Sequence, residues 1–98
     1  MIWHIVRFHF PADVDDAERR TLERDIEALA EAIDEVVWLA VARDLDDAAA
    51  TGLLSLFHDA AGLAAYRDHP RHVPVARQAR ELCQEVTRLD VEAGSPTP

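Results

Sequence analysis

Lysine is absent from this chain of 98 residues, and cysteine and tyrosine occur once each. The absence of lysine excludes a Schiff-base nucleophile and a lysine anchor for a cofactor. Because Cys83 has no partner for an internal disulfide, we expect a reducing, cytoplasmic location. The apolar runs are far shorter than the roughly 20 residues of a membrane span. The opening residues also lack the basic and apolar regions of a signal peptide, so we expect no membrane association.

Net positive charge is missing too, since ten arginines stand against 19 acidic residues and the formal net charge is −9. Binding to nucleic acid requires a basic face, so we expect no nucleic-acid partner.

A chain of this length forms one domain with a small core, which oligomerisation would enlarge. We expect that domain over residues 1–92 and a disordered tail rich in Gly, Ser and Pro over residues 93–98.

Four segments show the residue patterns of β-strands: 2–10, 36–43, 53–58 and 84–91. In the first, one face carries Ile2, His4, Val6, Phe8 and Phe10, and the other carries Trp3, Ile5, Arg7 and His9. The second and third strands are apolar on both faces, so their sheet must be covered on both sides. Two or three short helices cover only one side. We therefore expect the other side to pack against a second copy of the chain in a homodimer.

Two helical regions separate these strands. In the first, Asp15 and Glu18 fit a helix start, and Leu22, Ile26, Leu29 and Ile33 form one apolar stripe. The charged residues on its other sides, Arg19 among them, indicate a solvated face.

The second helical region is divided by Pro70. Asp59 caps a helix over residues 60–68, and a second piece covers about residues 71–82, with Pro74 in its first turn. The resulting order, β-α-β-β-α-β, predicts an α+β, ferredoxin-like fold with a four-stranded antiparallel sheet and a broken second helix.

Residues 63–74 (LAAYRDHPRHVP) contain the only tyrosine, two of the five histidines and two prolines. Tyr66 and His72 lie on opposite sides of the predicted break, which allows the two helical pieces to bring them together. An imidazole of pKa about 6.5 accepts a proton at neutral pH, and a phenol of pKa about 10 donates a hydrogen bond. The pair suits proton abstraction next to a carbonyl group. A purely structural packing role is the alternative for both residues.

The sequence resembles the stress-responsive dimeric α+β barrel domains, the Dabb family, over about residues 2–91. The resemblance lies in the opening strand WHIVRFHF, the amphipathic first helix and above all AAYRDHPRH. It implies a homodimer in which two four-stranded sheets enclose a shared interior. The family includes plant polyketide cyclases such as olivetolic acid cyclase. This implies that Tyr66 and His72 form a catalytic pair for aldol-type cyclisation and that His4 lines, and serves, the same catalytic pocket.

Some positions depart from the family pattern. Arg7 stands where an aliphatic residue is usual, and the loop before Leu53 is acidic and then rich in alanine. The substrate of the plant enzymes therefore does not transfer to this chain. We expect Arg7 to be buried between sheets and to need a partner, with Arg88, Asp90 or an acid of the other subunit as candidates.

Three further residues are candidates for substrate binding: Phe8, His69 and Arg77. Phe8 shares a strand face with the predicted pocket residue in the first strand. His69 either contacts substrate or holds the helix junction through hydrogen bonds to the backbone. Arg77 shares a helix face with Arg80 and either meets an anionic substrate tail or pairs with acids of the first helix. The proline between the histidines disrupts metal-ligand geometry, so we expect no metal. Related dimeric α+β barrels offer haem as a further possibility, but no residue pattern here indicates it, and we expect no other cofactor.

The sequence therefore predicts a small cofactor-independent enzyme that performs acid/base chemistry on a hydrophobic, polyketide-like carbonyl compound. Its pocket would measure at least about 300 Å³, the lower end of ligand sites. The alternative is a non-catalytic, stress-responsive or ligand-binding dimeric domain.

Overall fold

The computed structural model describes residues 1–94 and has the predicted order of elements. The strands are β1 (Ile2–His9), β2 (Trp38–Arg43), β3 (Ala50–Phe57) and β4 (Glu85–Glu92). The helices are α1 (Asp16–Glu27), the single turn α2 (Leu29–Ala32), α3 (Ala60–Asp68) and α4 (His72–Leu82). All four strands form one antiparallel sheet in the order β2-β3-β1-β4. The prediction of an α+β, ferredoxin-like fold is confirmed. Residues 95–98 of the predicted tail lie outside the described residues.

The first helical region places its predicted apolar stripe in the core. The side chain of Asp15 accepts hydrogen bonds from the backbone N–H groups of Ala17 (2.8 Å) and Glu18 (3.3 Å), which fixes the helix start. The regular helix is interrupted at Ala28, so α2 is a separate turn. The stripe is nevertheless at most 3% exposed throughout, at Leu22, Ile26, Leu29 and Ile33. No helix within residues 1–94 has the length and apolar character that crossing a membrane requires.

Strand β3 begins three residues earlier than the sequence predicts, at Ala50. Alanine and glycine have low intrinsic preference for strands, which is why residues 50–52 resemble a loop in the sequence. In the fold, Ala50 pairs with His9 of β1, and Gly52 pairs with Arg7 of β1 and Ala42 of β2. Pairing with two neighbouring strands therefore outweighs the local preference.

The side chain of Arg19 is buried, so the prediction of a solvated position is wrong. Arg19 is 4% exposed, and its guanidinium group lies over the ring of Phe10, 4.6 Å from the ring centroid. The same group donates hydrogen bonds to Thr51 Oγ1 (2.9 Å) and to the carbonyl oxygen of Ala48 (2.7 Å). These acceptors offset the cost of burying the charge and tie α1 to the start of β3.

Arg88 and Asp90, the predicted partners of Arg7 within the chain, do not contact it. Arg7 lies on the sheet face that no helix covers, and its side chain is 47% exposed. Its Nη2 atom donates a hydrogen bond to Asp47 Oδ2 at 2.8 Å, in the loop between β2 and β3. Arg88 and Asp90 are on alternate positions of β4 and belong to the helix-covered face.

The core between sheet and helices has two separate clusters of buried side chains. The first includes Val6, Phe8, Phe10, Leu22, Ile26, Leu53 and Ala79, and the second includes Leu29, Ile33, Phe57, Leu63 and Tyr66. Val75 of α4 packs against both. The division leaves space between the clusters, and the candidate site lies there.

The buried contacts of Arg19 predict that Arg19→Met lowers the free energy of unfolding by about 1–3 kcal/mol, because it leaves hydrogen-bond acceptors without their donor. Arg20→Met is the matched control. The Arg20 side chain is 58% exposed and pairs only with the equally exposed Asp16, so its loss should cost less than about 0.5 kcal/mol. Urea unfolding of the two variants measures the difference. Equal effects would contradict the structural role of Arg19.

Candidate active site

A partly open cavity of about 260 Å³ lies between the sheet and the helices. The volume is slightly below the expected lower limit of about 300 Å³. Residues from both core clusters and from all four helices line it, together with β1, β3 and β4. They are His4, Val6, Phe8, Ile26, Leu29, Leu53, Tyr66, Arg67, His72, Val75, Ala76, Ala79, Arg80, Val86 and Arg88. The wall is largely apolar, with its polar groups supplied by histidine, tyrosine and arginine.

The break in the second helical region is held by His69. This residue ends α3 in an extended conformation (ψ 136°), as expected for a residue that precedes proline. Its ring Nδ1 accepts a hydrogen bond from the backbone N–H of Arg71 at 3.0 Å. Its carbonyl oxygen accepts from the backbone N–H groups of His72 (2.9 Å) and Val73 (3.1 Å). His69 does not line the cavity, so its position matches the junction role and not substrate contact.

The break brings Tyr66 and His72 together. Their ring centroids are 4.4 Å apart with an interplanar angle of 48°. The ring of His4 is the next neighbour, 5.9 Å from the Tyr66 centroid, and Phe57 lies 5.0 Å from Tyr66 on another side. The three residues that the sequence proposes as catalytic therefore line one cavity.

The hydroxyl group of Tyr66 has no hydrogen-bond partner among the described residues, although the residue is 0% exposed. An unpaired buried hydroxyl costs free energy and is rare in folded proteins, so it points to a partner supplied by a ligand or a water. Burial raises the pKa of Tyr66 to about 12. The phenol therefore stays protonated at neutral pH and is available as a hydrogen-bond donor.

In the imidazole of His72, Nδ1 makes a hydrogen bond with the backbone, and Nε2 is free to accept a proton. Its Nδ1 lies 3.0 Å from the carbonyl oxygen of Arg67, and because a carbonyl only accepts, we assign the proton to Nδ1. The Nε2 atom then carries a lone pair. Burial is the main cause that lowers the pKa of His72 below its ordinary value, and the nearby His4, Arg80 and Arg67 lower it further. His72 is therefore neutral at pH 7 and can accept a proton.

His4 is held by an acid that sequence reasoning did not assign to the site. Its Nδ1 donates a short hydrogen bond to Asp90 Oδ1, and Asp90 Oδ2 accepts a hydrogen bond from Arg67. Burial lowers the pKa of His4 and outweighs the opposing effect of Asp90. Strand pairing could have indicated this contact, because His4 and Asp90 lie opposite each other in the adjacent strands β1 and β4.

The remaining predicted site residues divide between cavity and surface. Phe8 lines the cavity, whereas Arg77 is exposed and does not. Arg80, one turn further along α4, lines it instead, as do Arg67 and Arg88. Among residues 1–94, no three His, Cys, Asp or Glu side chains are grouped so that they could hold a metal ion.

These features define a ferredoxin-like α+β domain with a small, mostly apolar cavity that contains neutral acid/base groups. The chain belongs to the stress responsive A/B barrel (Dabb) domain family, whose sequence model matches residues 2–93. The resemblance seen in the sequence is thus confirmed. No curated protein matches the chain significantly.

Many solved structures share the fold, among them the following three. A dimeric protein of unknown function and ferredoxin-like fold from Bacteroides fragilis is 23% identical, with a TM-score of 0.78 over 94% of this chain and 95% of that one. Hydroxynitrile lyase from Passiflora edulis is 17% identical, with a TM-score of 0.86 over 99% and 96%. A mutant form of SnoaB, a cofactor-independent oxygenase from Streptomyces nogalater, is 16% identical, with a TM-score of 0.82 over 99% and 96%. At these identities the likeness concerns the fold alone.

The lowered histidine pKa values predict how stability changes with pH. In the unfolded chain His4 and His72 have ordinary values of about 6.5, so between the folded and unfolded values the unfolded chain binds more protons. The free energy of unfolding should therefore fall as the pH is lowered from about 7.5 to about 5.5. Urea unfolding across this range measures the slope. The double variant His4→Gln/His72→Gln should show a flatter dependence, and an unchanged slope would contradict the assignment.

Proposed function

We propose that this protein is a cofactor-independent enzyme that abstracts a proton next to the carbonyl group of a hydrophobic, polyketide-like compound. The observation that carries the proposal is the pair of Tyr66 and the neutral His72, whose ring centroids are 4.4 Å apart and which both line one apolar cavity. The buried hydroxyl of Tyr66 has no hydrogen-bond partner among residues 1–94. A carbonyl oxygen is the kind of acceptor that this hydroxyl lacks. An aldol-type cyclisation is the specific reaction that we propose, and the expectation of no cofactor belongs to the same proposal.

In the proposed step, the substrate carbonyl oxygen accepts a hydrogen bond from Tyr66. His72 Nε2 takes the proton from the carbon next to the carbonyl, and the electron pair of the broken C–H bond forms an enolate. The hydrogen bond from Tyr66 stabilises the negative oxygen, which is worth more in a cavity with little water. The enolate carbon then attacks a second carbonyl of the same molecule, and the protonated His72 returns its proton to the new alkoxide.

His4 is the second base in this cavity. The carboxylate of Asp90 fixes its orientation and keeps the proton on Nδ1, so that Nε2 is free. The structural neighbours include a lyase and a cofactor-independent oxygenase, which supports acid/base chemistry within this fold.

We also propose a cytoplasmic location. The single thiol, Cys83, is half-buried, and burial raises its pKa to about 11, which is typical of an unreactive cysteine.

Proton abstraction can be measured with propiophenone, a simple aromatic ketone. The protein should accelerate exchange of its α-hydrogens for deuterium, followed by NMR in D2O. His72→Gln should slow the exchange on the order of 10²-fold, because the base is lost, and Tyr66→Phe should slow it comparably. Tyr66→Phe should leave stability unchanged or raise it, because the hydroxyl that it removes has no hydrogen-bond partner within residues 1–94.

His58→Gln is the control for this experiment, since His58 is exposed and does not line the cavity. Its exchange rate should equal that of the unchanged protein. If the ketone binds but no exchange is accelerated, the proposed chemistry is wrong. That result would favour the alternative of a non-catalytic, ligand-binding domain.

We further propose that the chain forms a homodimer through the uncovered sheet face. Apolar side chains from all four strands lie on this face, and Trp3 packs edge-on against Trp38, with ring centroids 6.1 Å apart. Trp38, Leu54 and Leu89 on it are 47%, 38% and 57% exposed in the single chain. Apolar patches of this kind mark interaction surfaces. The Bacteroides fragilis neighbour is itself described as dimeric.

Leu54→Glu should disrupt this dimer, because it places a charge at the centre of the apolar face. Leu45→Glu is the control: Leu45 is 99% exposed and lies in the loop after β2, outside the sheet. Light scattering after size-exclusion chromatography should give twice 11.0 kDa for the unchanged protein and for the control. The Leu54 variant should give the single mass. A single mass for the unchanged protein would refute the proposed dimer.

A further inference from the structure

Three arginines line the candidate cavity in a chain whose net charge is −9. They are Arg67 at the end of α3, Arg80 in the last turn of α4 and Arg88 on β4. No aspartate or glutamate is among the residues that line the cavity within the described part of the chain. Arg80 is exposed and the Arg88 side chain is 61% exposed, so both stand at the mouth, whereas Arg67 is 34% exposed and lies deeper. The charge of the protein is thus reversed locally at this opening.

The described acidic residues neutralise only part of this positive charge. Asp90 pairs with Arg67 through Oδ2 and approaches Arg88 Nε at 3.9 Å, while its Oδ1 is engaged by His4. Arg80 has no acidic partner within residues 1–94. In addition, the buried Nε of Arg67 lacks an acceptor among the same residues. Three guanidinium groups therefore share one carboxylate, and two positive charges remain uncompensated.

We propose that the substrate of the reaction described above carries a carboxylate group, which Arg80 and Arg88 bind at the mouth of the cavity. The inference rests on the proposed function and specifies its substrate class: an apolar carbonyl compound with an acidic end. The apolar body lies against Val6, Leu53 and Val75, and the reacting carbonyl lies at Tyr66.

Two observations favour a carboxylate as the group that Arg80 and Arg88 bind. The planar guanidinium group presents paired N–H donors that match the two oxygens of a carboxylate. The carboxylate of Asp90 already pairs with Arg67 and lies 3.9 Å from Arg88 Nε, so a carboxylate is found beside two of the three arginines. A second carboxylate would find Arg80 and the outer donors of Arg88 available. It would also offset the effect of Arg80 on the base, and the pKa of His72 should rise when such a ligand binds.

Equilibrium binding of two small probes tests the inference. 4-Butylbenzoate carries the carboxylate, and 4-butylbenzyl alcohol is its neutral counterpart. Isothermal titration calorimetry at constant ionic strength should show tighter binding of the benzoate to the unchanged protein. Arg80→Gln and Arg88→Gln should each weaken benzoate binding by about two- to fivefold, the range expected for partly solvated ion pairs, and leave alcohol binding unchanged. Arg24→Gln is the control, because Arg24 is exposed in the last turn of α1 and does not line the cavity.

The outcomes separate this inference from the proposed function. If both probes bind equally well, or if the arginine variants weaken both probes alike, the carboxylate site is refuted while proton abstraction in the cavity stands. If neither probe binds to the unchanged protein, the carboxylate site is refuted as well. The exchange experiment with propiophenone then decides separately whether the cavity acts on neutral ketones. If Arg24→Gln weakens benzoate binding as much as the two cavity variants do, the effect is one of overall charge and the inference fails.

Discussion

Pro70 is the constraint on which the geometry of the site depends. A proline disfavours helical conformation in the residue before it and cannot donate the backbone hydrogen bond that a continuing helix requires. The chain therefore leaves α3 at Asp68, passes through the extended His69 and resumes in α4 at His72. On an uninterrupted helix, Tyr66 and His72 would point in different directions. The break turns α4 relative to α3 so that both rings reach one space, and His69 stabilises the turn through backbone hydrogen bonds.

Burial sets the protonation states that the proposed chemistry needs. The same low polarity that raises the pKa of Tyr66 lowers the pKa values of His72 and His4, since it disfavours the charged form of each group. The result is a protonated donor and neutral bases at the same pH. The space between the two core clusters is what permits this arrangement, because a single continuous core would fill the cavity and leave no room for a ligand.

The sequence predictions were wrong where a residue's partner is distant along the chain. Arg19 has the pattern of a solvated helix position, yet β3 and the preceding loop supply acceptors for its guanidinium group. Arg7 pairs with Asp47 and not with Arg88 or Asp90, because the loop that contains Asp47 lies next to β1, a contact that no local sequence pattern predicts. Arg77 and Arg80 are nearly equivalent on a helical projection, and only the packing of α4 on the sheet directs Arg80 towards the cavity.

The sequence alone determined the α+β fold and the division of the second helix. Both depend on short-range signals, namely the periodicity of apolar residues, capping by Asp15 and Asp59, and the backbone restriction imposed by Pro70. The sequence also indicated the candidate pair, Tyr66 and His72, through the resemblance of AAYRDHPRH to the Dabb family. Tertiary structure alone decided which side chains meet. The pairing of β1 with β4 places Asp90 against His4. The docking of α3 and α4 on the sheet leaves the hydroxyl of Tyr66 without a partner among residues 1–94, in a cavity that three arginines also line. Such contacts follow from strand order and register, which depend on the summed packing of the whole chain and not on the residues at the contact.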